Sequence, residues 1–115
     1  MIFLQAKDRR NRKKMKMMSK SIIHEKGKGC YLCGTRNVPL EEHHVFGGTG
    51  CRKLSEHYGL KVYLCQACHN LPPRGVHFNR ENREDLQSRV QKIAMQHYGW
   101  TIEDFIKIFG RNFCG

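Results

Sequence analysis

No stretch of the sequence approaches the roughly 18 consecutive apolar residues that a helix needs to cross a bilayer, so a membrane-spanning helix is not expected. Carboxylates are scarce: 10 Asp and Glu stand against 21 Lys and Arg, for a formal net charge of +11. A surface with so few acids favours polyanions, and nucleic acid is the default among them. The chain holds one Trp and three Pro, and internal repeats are absent. At 115 residues it is long enough for one small domain with a modest core, in which a metal staple would add needed stability. The opening Met1-Ile2-Phe3-Leu4 is too short for a signal-peptide core, and its basic residues follow it rather than precede it. That argues against secretion and for the cytoplasm. In a reducing compartment, paired cysteines more often hold a metal than form disulfides, and there are six cysteines to place.

The positive charge is concentrated at one end. Between Lys7 and Lys28 there are ten Lys or Arg, against only Asp8 and Glu25, a local net of +8. Residues 1–28 read as a basic N-terminal arm laid along a phosphate backbone, where each cation releases condensed counterions. Arg9, Arg10, Arg12, Lys13 and Lys14 are its densest part. A solvated tail that merely aids solubility is the plainer account of the same charges. Residues 29–115 then form the folded domain.

Cys30-Tyr31-Leu32-Cys33-Gly34 has the form of a knuckle, a tight turn in which two thiolates from one loop reach one tetrahedral ion. Cys65-Gln66-Ala67-Cys68 is its partner. Two such pairs describe a closed structural Zn2+ site. The 31 residues between Cys33 and Cys65 exceed the roughly 15 to 20 of a simple ribbon, so something folded is inserted there. The insert holds Glu41-Glu42-His43-His44, a glycine-rich loop (Gly47-Gly48-Thr49-Gly50), basic Arg52 and Lys53, and the strand-like run Leu60-Lys61-Val62-Tyr63-Leu64. It reads as two strands joined by a long loop, the second strand delivering the second knuckle. Downstream, Leu86, Val90, Ile93 and Ala94 recur at helical spacing between about Arg80 and His97. Thr101-Ile102-Glu103-Asp104 is a capping signature for a last short helix, stopped by Gly110, that serves as a lid on the zinc core.

The centre of the chain adds His43, His44, His69 and His77, more imidazole than a closed four-thiolate site can use. Three imidazoles with open positions for water make a catalytic rather than a structural metal centre. One histidine is left over as a base, a role suited to its near-neutral pKa. On an extended strand His43 and His44 point to opposite faces, so the two have different jobs. A metal that stabilises a phosphate, beside a histidine that activates water, describes hydrolysis of a phosphodiester.

A Cys-x-x-Cys knuckle, His-His at a strand end, then Cys-x-x-Cys-His-Asn and a later His resembles the HNH endonucleases of the ββα-metal (His-Me finger) fold. The chain is most similar to small phage and prophage members with Glu-Glu-His-His, a Gly-Gly loop and Lys53-Leu54-Ser55-Glu56. The resemblance spans roughly residues 30 to 80, with the stretch from Phe105 to Asn112 also similar. It implies an α+β fold: a zinc-stapled ribbon, an active-site helix, two further helices towards the C-terminus and the basic arm. It implies metal-dependent cleavage of DNA, by nicking or double-strand cutting, in phage or prophage DNA processing or recombination. A phage or host recombination or packaging protein is the second partner it suggests.

Carried over by position, the resemblance gives His43 to the metal, His44 to water as general base, and His69 and His77 to the metal. The ion would be Mg2+, Mn2+, Ni2+ or Zn2+, with Arg52, Lys53 and Arg74 positioning the DNA backbone. Two departures stand out. His69 and His77 are eight apart with Pro72-Pro73 between them, where the family's helix ligands commonly lie one turn apart. The family's middle asparagine, which steadies the base, has no clear counterpart before Cys65. The competing reading is a non-catalytic zinc-ribbon module that binds nucleic acid or protein. Cys51 and Cys114 read as unpaired thiols, and His24, His57 and His97 as surface or arm residues.

Overall fold

The structure is a computed structural model that describes residues 20–115, so Arg9, Arg10, Arg12, Lys13 and Lys14 lie outside the described residues. Strand β1 (Leu40–His44) pairs antiparallel with β2 (Lys61–Cys65), in a register that sets His43 opposite Val62 and His44 opposite Lys61. Side chains alternate across a strand, so Glu41 and His43 share one face of β1 while Glu42 and His44 share the other. Four helices complete the described residues: α1 (Cys51–Tyr58), α2 (Gln66–His69), α3 (Arg80–Tyr98) and α4 (Ile102–Phe109). The result is a small α+β fold around a two-stranded sheet.

Helix α1 stands where the sequence suggests only loop. Gly50 and Gly59 bound it, and Leu54 and Tyr58, one turn apart, bury its inner face. Ser55 fastens it to the end of β1: its hydroxyl donates to the Phe46 carbonyl at 2.8 Å and accepts from the Phe46 N–H at 3.1 Å. Gly59 holds φ at +72°, and a Cβ there would come within 2.5 Å of the Lys20 carbonyl oxygen. That crowding reflects how residues 20–31 lie against β2. The Ile22 N–H reaches the Gly59 carbonyl at 3.0 Å, the Tyr63 N–H donates to His24 Nδ1 at 3.2 Å, and the Tyr31 N–H meets the Tyr63 carbonyl at 3.0 Å. His24 is thus a fixed part of the sheet edge, not a surface residue of the arm.

The two later helices fall where the apolar periodicity puts them. Asn79 caps α3, accepting from the Asn82 N–H at 2.8 Å, and Gly99 ends it. Thr101 and Asp104 close a reciprocal capping box at the start of α4, and Gly110 ends that helix. The lid lies over Phe46, whose ring meets Phe105 edge-on at 5.4 Å between centroids and Phe109 and Phe113 at a tilt, at 5.0 and 4.8 Å. Phe46 is 1% exposed, and truncating a buried Phe typically costs about 3–5 kcal/mol. The aromatic cluster therefore anchors the chain two residues past His44.

Candidate metal centres

The knuckle at Cys30 is closed by a Gly34 N–H that bonds the Cys30 carbonyl at 2.8 Å, with Gly34 at φ +77°. β2 carries Cys65 at its end, and α2 turns Cys68 back beside it. The four Sγ atoms all lie within 4.8 Å of one another, with Cys33 and Cys65 at 3.7 Å. A tetrahedral Zn2+ with bonds of about 2.3 Å separates its sulfurs by about 3.8 Å, so the thiols fit that ion. Their ionisation fits it too. Burial opposes charge on Cys30, but the backbone N–H groups of Cys33, Cys65 and Leu32 outweigh it and pull the thiol down to about 6. Cys68 is pushed up to about 12, first by burial and then by the neighbouring thiols. So many thiols at this separation do not ionise together without a cation among them.

A second cluster sits on the His43 face of β1. His43, His69 and His77 each present a ring nitrogen, all within 4.8 Å of one another. His69 and His77 face each other through Nε2 at 3.0 Å, while His69 Nδ1 donates to Glu41 Oε1 at 2.7 Å. That bond leaves a lone pair on His69 Nε2, and the carboxylate–imidazole pairing is the one that orients metal-ligating histidines. His43 Nε2 is buried with no hydrogen-bond partner, a cost of about 1–3 kcal/mol unless something binds it. Burial first, then the charges of His69, His77 and His44, lowers the His43 pKa to about 3. His77 is also lowered, by burial and by His69 and Arg83 against Glu41. His43 is therefore held in the neutral form that metals bind, and the lowered pKa favours that form in His77 as well. His77 is exposed and His43 buried, which leaves the cluster open on one side.

The two clusters share a backbone. Cys68 and His69 are neighbours on α2, and the next segment returns to them: the Val76 N–H bonds the Cys68 carbonyl at 2.9 Å and the His77 N–H bonds the His69 carbonyl at 3.1 Å. An ion in the thiols would fix α2, which carries His69 and, through the returning segment, positions His77; His43 comes from β1.

No family model, curated protein or solved structure matches this chain.

His44 lies apart from the three histidines, on the opposite face. Its Nε2 is 2.7 Å from Glu56 Oε1 and 3.9 Å from Glu42 Oε1. Lys61 spans the same carboxylates, at 2.9 Å from Glu56 Oε2 and 3.0 Å from Glu42 Oε2. Burial alone would lower the Lys61 pKa, yet the hydrogen bonds and charges of both glutamates raise it. Sequence reasoning missed Glu41, Glu56 and Lys61. Glu41 had a signal, since it is two residues before His43 on one strand face. Glu56 had none until α1 was known to be a helix. Arg52 and Lys53 are exposed on the first turn of α1. Arg74 is exposed beside the thiols, its guanidinium pKa raised by the hydrogen bond and charge of Cys68.

Proposed function

We propose that this chain is an HNH-type endonuclease that hydrolyses phosphodiester bonds in DNA with a divalent metal held by His43, His69 and His77. The observation that carries the reading is the convergence of those three imidazoles, with Glu41 behind His69; His44, the next residue of the strand, stands on its other face against Glu56. The ion would supply charge stabilisation at the phosphate and its leaving oxygen. His44 would take the proton of the attacking water. Arg52, Lys53 and the basic N-terminal residues would meet the backbone, contacts that position the DNA without reading its sequence. The order β1, β2, α2 suits the ββα-metal fold, and Zn2+ in the thiols would be its staple.

The test is a supercoiled plasmid assay with the full chain and added Mg2+, Mn2+, Ni2+ or Zn2+, alongside metal analysis. Wild type should hold one tightly bound zinc and take up a second, exchangeable ion when it cuts. His44→Ala should keep that second ion and lose about 10²- to 10⁴-fold in rate, the usual worth of a general base. His43→Ala should lose the ion as well. Equal second-ion occupancy in the two variants would overturn the division of roles. A wild-type chain that binds DNA with one zinc and never cuts it is the non-catalytic zinc module instead.

A further inference from the structure

We infer that Glu56 is a positioning residue for His44, fixing which of its ring nitrogens carries the proton; this rests on the nuclease reading above. Glu56 Oε1 lies 2.7 Å from His44 Nε2 while Oε2 takes a Lys61 ammonium proton at 2.9 Å. A carboxylate that accepts from an ammonium on one oxygen can only accept on the other. Nε2 is therefore the protonated nitrogen, and the lone pair falls on Nδ1, which no group among the described residues engages. That is the nitrogen left to receive a proton from water. The imidazolium then formed would face the Glu56 carboxylate, the arrangement by which an acid steadies a catalytic histidine.

The surroundings hold Glu56 to this task. Its side chain is 8% exposed and that of Lys61 3%. Lys61 is shared with Glu42, which fixes the Glu56 carboxylate rotamer and keeps Oε1 for His44. Ser55, the preceding residue, is bonded through its hydroxyl to both backbone groups of Phe46, so the distance from α1 to the end of β1 cannot drift. A buried charged pair is costly relative to apolar residues of the same shape. Here the group specifies a tautomer, which apolar packing cannot do.

Glu56→Gln separates this role from simple packing. Lys61 needs an acceptor and will claim the amide oxygen, which turns the NH2 towards His44 Nε2 and drives the ring proton to Nδ1. With the zinc-loaded full chain and ¹⁵N-labelled histidine, long-range ¹H–¹⁵N spectra should show His44 protonated at Nε2 in wild type and at Nδ1 in Glu56→Gln. In plasmid cleavage, kcat should fall about 10²-fold or more, with KM and second-metal occupancy unchanged, and Glu56→Asp should recover part of the loss. A wild-type His44 protonated at Nδ1 overturns the inference even if the variant fails to fold. So does a folded Glu56→Gln that cuts at the wild-type rate. Absence of cleavage by wild type, with the Nε2–H form seen, removes the nuclease reading and leaves the tautomer assignment standing.

Discussion

His69 Nε2 lies 3.0 Å from His77 Nε2, although eight residues separate them in the chain. The intervening loop closes because Gly75 nests against its start: a Cβ there would meet the Leu71 nitrogen and oxygen, each at 2.7 Å. Gly75→Ala should therefore push His77 out of the cluster while leaving the thiols intact. Second-metal affinity should weaken about 10- to 100-fold, the range seen when the support of a ligand is disturbed. Calorimetric titration of the exchangeable ion checks this, and an affinity equal to wild type counts against His77 as a ligand.

Cys33 offers a sharper test of the staple than its buried partners. It is exposed, so without a metal its replacement by serine should stay within about 0.5 kcal/mol. If it completes a zinc site, Cys33→Ser opens the tetrahedral shell and forfeits part of a binding energy that totals about 10 kcal/mol or more, itself comparable to the whole stability of a small domain. Circular dichroism melts should show no cooperative transition, with Cys68→Ser the same. A Cys33→Ser melt that overlays wild type would mean that the four thiols hold no ion.

His43 should make the protein acid-sensitive in the absence of added divalent ion. Unfolded, it takes up a proton near 6.5; folded, only near 3. Between those values the unfolded chain binds more protons, so stability falls as pH is lowered through that window. From about pH 7 to about pH 5 wild type should lose about 2 kcal/mol more than His43→Asn. Urea titrations of both proteins at the two pH values give the comparison, and parallel losses would show that His43 is not held neutral.

Ser21, His24 and Tyr31 bond the outer edge of β2, so a deletion aimed at the N-terminal charges should stop before residue 20. Residues 1–19 carry seven Lys or Arg and one Asp. Each phosphate contact contributes ~0.9 to the slope of log affinity against log salt, so deleting them should flatten that slope by up to about 6. Fluorescence anisotropy on duplex DNA over a salt series measures it. An unchanged slope would make those residues a solubility tail.

The thiol pairs, the His43 face and helices α3 and α4 were legible because each rests on local spacing: two cysteines in one turn, period two in β1, and period 3.6 with caps in α3 and α4. What the sequence concealed were contacts that tertiary pairing creates. Lys61 reads as the polar member of an alternating strand, yet its ammonium is buried between Glu42 and Glu56. Glu56 reads as one more charge in a basic loop until Gly50 and Gly59 are seen as the ends of a helix. The eight-residue interval from His69 to His77 looks too long for one ion, and it is shortened by the close approach of Gly75 to Leu71 and by the hydrogen bonds from Val76 and His77 back to α2.

The segment from Ser21 to Tyr31 has one more effect, on how copies of this chain meet each other. An exposed strand edge is a template for further strands, and a two-stranded ribbon has little else to hide it. Along β2 the outward Lys61 carbonyl accepts from the Ser21 hydroxyl, the Tyr63 N–H is taken by His24, and the Tyr63 carbonyl by the Tyr31 N–H. Those backbone groups are already bonded within the chain, and the residues that bond them stand where a neighbouring strand would have to dock. The strand that delivers Cys65 to the thiol cluster is thereby shielded from edge-to-edge pairing, and Ser21 and His24, two of the three residues that shield it, lie in a segment whose charge suggests only a partner for DNA.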